Sequence, residues 1–126
     1  MIIRREAAGE IRPDQVRAMA HGLYYLAEID GITKAEEKIL ASFLTEGNVG
    51  LDVKSLGKIP FSVEALAASL DTVFLRKTFL RVAILVARAD GKISDQEMTV
   101  LRRLAQALGI DESLESLAAD LEGKSL

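Results

Sequence analysis

The sequence is poor in the residues that most often carry catalysis and metal binding. It contains no cysteine and a single histidine, His21, among 126 residues. Without cysteine, disulfides, thiolate catalysis and cysteine-ligated metals are excluded. With one histidine, the Glu-x-x-His pairs of a ferritin-like di-iron centre are missing as well. No serine lies in a nucleophile elbow. We therefore expect a protein that is not an enzyme.

Long hydrophobic runs are also lacking. The longest apolar run covers residues 82–87, which is far too short to cross a bilayer. The N-terminal stretch has no apolar core of the secretory type. These features predict a cytoplasmic protein without direct membrane insertion. We expect one domain over residues 1–126, with residues 1–11 as a loosely ordered leader.

The sequence has no excess of positive charge. The net charge is −3, which argues against nucleic acid as a partner. A local basic cluster, Arg76, Lys77 and Arg81, is interleaved with phenylalanine and leucine. We interpret it as the solvent-facing edge of a buried helix. The apolar fraction of 49% is enough for a real core, and the charged fraction of 28% is not that of a disordered chain.

The hydrophobic periodicity is helical nearly throughout, and no segment alternates with period two. Helices are predicted over about 13–30, 33–46, 62–70, 72–89, 95–108 and 112–121, with a short helical turn inside the irregular stretch 47–61. Ser62, Asp71 and Asp111 are the predicted caps of three of them. The fold class is therefore all-α, a single bundle of about seven helices, two of them short. The helix over 72–89 is apolar almost all round and should lie at the centre.

An internal duplication emerges from the alignment of "YYLAEIDG-ITKAEEKILASFL" with "ILVARADGKISDQEMTVLRRLA". Asp30 and Gly31 match Asp90 and Gly91, and Glu36 matches Glu97. Each copy is a helix, an Asp-Gly turn and a second helix. A carboxylate that follows the last turn of a helix meets the negative pole of the helix dipole, so a compensating role is expected for the repeated aspartate.

A calcium-binding EF-hand would account for the acidic turns, and the second copy fits half of it. With Gly91 at loop position 6, Asp90, Ser94 and Glu97 occupy ligand positions. Val86 and Arg88 then fall at positions 1 and 3, where oxygen ligands are required. The first copy is one residue shorter. A true EF-hand is therefore rejected.

Helix capping and cation binding both stay open as roles for these acids. Thr33-Lys-Ala-Glu36 and Ser94-Asp-Gln-Glu97 both have the pattern of a capping box, in which the hydroxyl and the carboxylate satisfy backbone amides. Alternatively, Asp30, Glu36, Asp90 and Glu97 lie on the inward stripes of their helices and converge on a hard cation. Oxygen-only ligation would favour Ca²⁺, Mg²⁺ or Mn²⁺.

The pattern A-D-G-x-I-S-x-x-E-x-x-x-L-x-x-L-A-x-x-L-G-I, at residues 89–110, resembles the TerB-like domains of tellurite-resistance proteins and of some J-domain co-chaperones. The weaker first copy and the long central helix extend the resemblance from about Val16 onward. It implies an all-helical bundle with divalent-cation binding through Asp30, Glu36, Asp90 and Glu97, with Glu37 and Asp95 as additions. Lys34 stands where the second copy has Asp95, so the two sites need not be equal.

Two functions follow as hypotheses. The first is a non-enzymatic, cytoplasmic, stress-associated module that binds a divalent cation at its two Asp-Gly turns. The second is a metal-free scaffold for protein–protein interaction in which the same acids only cap helices. The partner in either case is expected to be another protein, and a homodimer stays open. His21 is expected to be half-buried or at the surface, and one of Tyr24 and Tyr25 is expected to be exposed.

Overall fold

The structure, a computed structural model, describes residues 12–47, 50–58, 60–89, 91 and 93–123, and of residues 30 and 120–123 it describes the backbone alone. The described part contains α-helices and no strand. The helices are α1 (Pro13–Ala27), α2 (Lys34–Gly47), α3 (Val53–Leu56), α4 (Val63–Ser69), α5 (Val73–Ala87), α6 (Asp95–Ala107) and α7 (Leu114–Gly123), and a 3-10 turn (Glu28–Asp30) follows α1. The all-α prediction is confirmed, and α3 and α4 are the two short helices. The duplication stays a prediction.

The middle of the bundle is formed by α1 and α5. Helices α2, α3 and α4 pack on α1, while α6 and α7 pack on α5. Residues of α5 are buried on several sides, among them Phe79, Leu80, Ala83 and Val86. The central location predicted for this helix is therefore confirmed.

Helices α1 and α5 run in the same general direction. At the start of α1, Gln15 Nε2 donates to Asp71 Oδ1 at 3.2 Å, immediately before α5 begins. Two turns further along α1, a Cβ added to Gly22 would lie 2.8 Å from Phe79 Cζ, two turns into α5. The contacts advance in the same direction along both helices. The C-terminal ends of α1 and α5 therefore lie at the same end of the bundle.

The close packing of α1 against α2 depends on Gly47, the last residue of α2. A Cβ at this position would overlap Val16 Cγ1 on α1, well inside van der Waals contact. Only a residue without a side chain lets the two helices approach this closely.

Arg76 on α5 joins the ends of two other helices. Its guanidinium donates to three backbone carbonyl oxygens, those of Leu70 at 2.7 Å, Ala67 at 3.0 Å and Leu108 at 3.0 Å. The carbonyls at a helix C-terminus have no partner within the helix, and arginine satisfies them with its fixed fork of donors. The sequence-based interpretation of this cluster as a solvent-facing edge is therefore wrong for Arg76, which is half-buried and makes three internal hydrogen bonds.

The cap predicted at Asp71 is wrong. Thr72 has an extended backbone and its hydroxyl accepts from the Leu75 amide at 3.1 Å, so Thr72 is the N-cap of α5. Asp71 lies one residue too early to reach that amide. Its carboxylate instead accepts from Gln15 and lies 3.7 Å from Arg12 Nη1.

The cap predicted at Asp111 is wrong for the same reason. Helix α7 begins at Leu114, and Ser113 Oγ accepts from the Ser116 amide at 3.1 Å. The predicted cap of α4 at Ser62 is confirmed, with its hydroxyl 3.2 Å from the Ala65 amide.

Candidate functional site

Both Asp-Gly turns end a central helix and use glycine in the same way. After α1, the Gly31 amide donates to Glu28 O at 3.2 Å and Gly31 has φ +84°. After α5, the Gly91 amide donates to Arg88 O at 3.0 Å and Gly91 has φ +118°. A Cβ at either glycine would meet nothing within 4 Å. Glycine is required because these φ angles are unfavourable for L-residues, and not because space is short.

Each turn is followed by a complete capping box, as the sequence predicts. Thr33 Oγ1 accepts from the Glu36 amide at 3.1 Å, and Glu36 Oε1 accepts from the Thr33 amide at 2.8 Å. In the second turn, Ser94 Oγ accepts from the Glu97 amide at 3.1 Å and Glu97 Oε1 accepts from the Ser94 amide at 3.0 Å. The two hydrogen bonds satisfy two amides at the N-terminus of each following helix.

The glutamates of the two boxes are buried. Glu36 is 2% exposed and Glu97 is 4% exposed. Each lies on one stripe with buried apolar residues of its helix, which are Leu40, Phe43, Leu101 and Leu104. The inward direction predicted for both glutamates is therefore confirmed. A buried carboxylate is costly unless hydrogen bonds or an opposite charge compensate it, and the helix N-terminus supplies part of this compensation.

The two glutamates differ in how their carboxylates are used. Glu97 has no hydrogen bond or ion pair with a described residue beyond its capping box, so Oε2 remains available. Glu36 takes part in a further polar interaction. Glu37 and Asp95, the predicted additions to the site, are exposed.

The predicted site also includes two aspartates, Asp30 and Asp90. The side chain of Asp30 and the whole of Asp90 lie outside the described residues. Among the residues that are described, no group of three or more His, Cys, Asp or Glu side chains could hold a metal ion. The parallel arrangement of α1 and α5 brings the two turns to one end of the bundle. That all four acids converge on one cation stays a prediction.

A concave region, separate from the two turns, lies beside the C-terminal half of α1. It has a volume of about 220 Å³, and its lining residues include His21, Tyr24, Tyr25, Glu28, Lys58 and Phe61. Tyr25 stacks on Phe61 with ring centroids 4.8 Å apart and an interplanar angle of 28°. Tyr25 is 40% exposed, which confirms the expectation that one of the two tyrosines is exposed.

His21 is half-buried, as expected, and its Nε2 is buried without a hydrogen-bond partner among the described residues. Desolvation by burial lowers the pKa of His21. Sequence reasoning missed this cavity because its second wall, which includes Lys58 and Phe61, comes from the chain after α3. The only signal of this cavity in the sequence is that His21 lies close to Tyr24 and Tyr25 on one helix.

Fold and turns together define a class: an all-helical module whose two central helices end at acidic, glycine-containing turns. The sequence matches the family described as Tellurite resistance protein TerB over residues 15–118. This match covers most of the chain, and the protein therefore belongs to the TerB family. The search of curated proteins and the search of solved structures gave no match. No helix in the described ranges has both the length and the apolarity needed to span a membrane.

Proposed function

We propose that this TerB-family module is not an enzyme and that it binds one divalent cation at its two Asp-Gly turns. Asp30, Glu36, Asp90 and Glu97 would hold the ion. Bound there, the cation would neutralise buried negative charge and fasten the two turns to one another. The expected ions are Ca²⁺, Mg²⁺ and Mn²⁺, because the site offers oxygen ligands only.

The observation that carries this proposal is the environment of Glu97. The residue is 4% exposed as a whole, and only Oε1 of its carboxylate is used by the capping box. Oε2 makes no hydrogen bond or ion pair with a described residue, so it can ligate a cation, and a cation there would offset the cost of keeping a charge on a largely buried residue. The parallel run of α1 and α5 supports a shared site, since both turns leave the bundle at the same end.

Thermal unfolding with each ion tests the proposal. The protein is first treated with a chelator and then melted in the presence of Ca²⁺, Mg²⁺ or Mn²⁺ over a range of concentrations. An ion at one hundred times its dissociation constant should stabilise the fold by about 2.7 kcal/mol. For a chain of this length we expect the melting temperature to rise by roughly 10 °C. A melting temperature that no ion changes would remove cation binding from the function.

Two variants separate ligation from capping. Glu97→Gln keeps an Oε1 that can accept from the Ser94 amide, but it removes the charge. We expect nearly unchanged stability without ions and a reduced response to ions. Ser94→Ala removes the hydroxyl cap and keeps the carboxylate, so we expect a loss of about 1 kcal/mol with the ion response retained. An undiminished response in Glu97→Gln would place any bound ion elsewhere.

A metal-free interaction scaffold is the second candidate. The complete capping boxes favour it, because each glutamate has a structural role without an ion. Val73 and Phe74 at the start of α5 are also exposed, at 62% and 40% respectively, and exposed apolar residues are a feature of partner surfaces. The partner would be another protein or a second copy of this chain. Sedimentation of the wild type and of Phe74→Ser over a range of concentrations distinguishes a homodimer from a monomer.

The biological setting in this proposal is the cytoplasmic response to stress, including tellurite. The name of the family supports a link to tellurite resistance. Growth of a deletion strain on tellurite, with and without a plasmid carrying the wild type or Glu97→Gln, tests this link. Equal growth of all strains on tellurite and under other stresses would contradict it.

A further inference from the structure

We propose that the cavity beside α1, lined by His21, Tyr24, Tyr25 and Phe61, binds a small uncharged lactam heterocycle of one ring, of the size and kind of a pyrimidine base. This inference does not depend on cation binding at the Asp-Gly turns. The ring of the ligand would stack on the Tyr25–Phe61 pair, and its lactam edge would hydrogen-bond to His21 and Tyr24.

The volume of the cavity suits a ligand of one ring. Its volume is about 220 Å³. A cavity of about 150 Å³ in another protein accommodates benzene, while drug-sized ligands need roughly 300–1,000 Å³. A six-membered ring with two polar substituents lies between these limits.

The polar groups of the cavity lack protein partners in the described structure. Nε2 of His21 is buried without a hydrogen bond there, and neither the imidazole nor the Tyr24 hydroxyl hydrogen-bonds to another described residue. Buried polar groups are satisfied in the great majority of cases, so an unsatisfied imidazole nitrogen next to a cavity indicates a missing partner. Because Nε2 itself is covered, a ligand would reach it after rotation about χ2, which is a soft torsion in histidine.

The charge of the cavity favours an uncharged ligand. Lys58 and Glu28 both lie at the rim, are exposed and have opposite signs, so neither an anion nor a cation is preferred. Burial lowers the pKa of His21, so the imidazole is neutral at neutral pH and offers one donor and one acceptor. A lactam edge, with an N–H beside a C=O, matches this pair. His21 has no hydrogen bond to Glu28, so these two residues form no aligned acid–base pair and binding is inferred without catalysis.

The wall of the cavity favours a planar ligand. Tyr25 and Phe61 are already stacked at a centroid distance of 4.8 Å, and Tyr25 as a residue remains 40% exposed. Aromatic side chains that are exposed beside polar groups are typical platforms for bases, because every base has a π-face. An aliphatic ligand of the same volume would leave this face unused.

The composition of the chain makes the test specific. Tyr24 and Tyr25 are its only tyrosines, and it contains no tryptophan, so the intrinsic fluorescence reports on this cavity alone. His21 is its only histidine, so in protein without a histidine tag the imidazole NMR signals need no assignment. Uracil is titrated while both signals are followed. Toluene serves as an apolar ring and benzoate as an anionic ring of similar size.

We expect a saturable change in both signals with uracil and weaker binding of toluene and benzoate. Tyr24→Phe, which retains Tyr25 as the reporter, and His21→Gln should each weaken uracil binding roughly fivefold, the equivalent of one hydrogen bond. Glu64→Gln, an exposed change on α4, is the control and should leave binding unchanged.

A variant that fills the cavity tests the location. Gly57 has φ −70°, which alanine adopts without strain, and a Cβ there would lie 2.7 Å from Tyr24 Oη. Gly57→Ala should abolish binding while circular dichroism shows an unchanged helix content. No saturable signal with uracil at any soluble concentration would overturn the proposal. Toluene or benzoate binding as tightly as uracil, or more tightly, would overturn it as well. So would a Gly57→Ala variant that binds uracil as tightly as the wild type does.

Discussion

Replacement of Arg76 by lysine should destabilise the bundle far more than its conservative chemistry suggests. The guanidinium of Arg76 donates to three carbonyl oxygens from two separate segments, at distances of 2.7, 3.0 and 3.0 Å. Lysine keeps the charge, but one ammonium cannot reach all three oxygens because it lacks the planar fork. We expect one hydrogen bond to survive and two to be lost.

The magnitude follows from the two lost bonds. Hydrogen bonds that involve a charged group contribute about 1.5–3 kcal/mol each. Arg76 is half-buried, so water recovers part of this loss. We therefore expect the free energy of unfolding to fall by about 2–3 kcal/mol, which corresponds to roughly 8–12 °C in melting temperature for a chain of this length.

The assay is urea unfolding followed by circular dichroism, with Arg102→Lys as the matched control. Arg102 lies exposed on α6, and its side chain makes no hydrogen bond or ion pair with a described residue. Its replacement should change the free energy of unfolding by less than about 0.5 kcal/mol. The m-value should be unchanged in both variants, since the surface exposed on unfolding is the same. If Arg76→Lys were as stable as Arg102→Lys, the three carbonyl contacts would not stabilise the fold and our reasoning would be refuted.

Three further predictions concern packing, capping and pH. Gly47→Ala should destabilise by about 1–3 kcal/mol through the clash with Val16, and Val16→Ala in the same chain should reverse part of that loss, which a double-mutant cycle in urea measures. Thr72→Ala should cost about 1 kcal/mol by loss of the α5 cap, whereas Asp71→Asn should leave that cap intact; equal melting temperatures for Thr72→Ala and the wild type would contradict the assignment. Because burial lowers the pKa of His21 in the folded state, the unfolded chain takes up the proton first as the pH falls below about 6.5, so the free energy of unfolding should decrease. Above that pH the residue is neutral in both states and has no such effect. The His21→Gln variant should lose this part of the acid sensitivity between about pH 7.5 and 5.5. If the free energy of unfolding of the variant and of the wild type changed identically with pH, this prediction would be refuted.

Local features of the fold could be predicted from the sequence, because they are encoded by neighbouring residues. The capping boxes at Thr33 and Ser94 depend on contacts three residues apart, and the left-handed turns at Gly31 and Gly91 depend on one residue each. The buried stripes follow from the helical period. All of these predictions are confirmed. The caps of α5 and α7 were misplaced because two neighbouring polar residues could each serve, and the backbone angles decide between them.

Contacts between distant segments could not be predicted. The carbonyl oxygens that Arg76 binds belong to Ala67, Leu70 and Leu108, and no periodicity relates them. The cavity beside α1 joins His21 to Phe61, which lies forty residues later along the chain. The predicted cation site depends on Asp30 and Asp90, whose side chains are not among those described, so the sequence remains the basis for that part of the hypothesis.

The parallel run of α1 and α5 has an electrostatic consequence for the whole molecule. Two neighbouring helices that run antiparallel largely cancel each other's dipoles, whereas a parallel pair adds them. Each helix contributes about half a negative elementary charge at its C-terminus. In this protein both negative poles lie at the end where the sequence also places Asp30 and Asp90, and the positive poles of α2 and α6 follow directly after the same two turns. The four poles therefore offset one another in part at this end, and the potential that remains there weakens as the salt concentration rises.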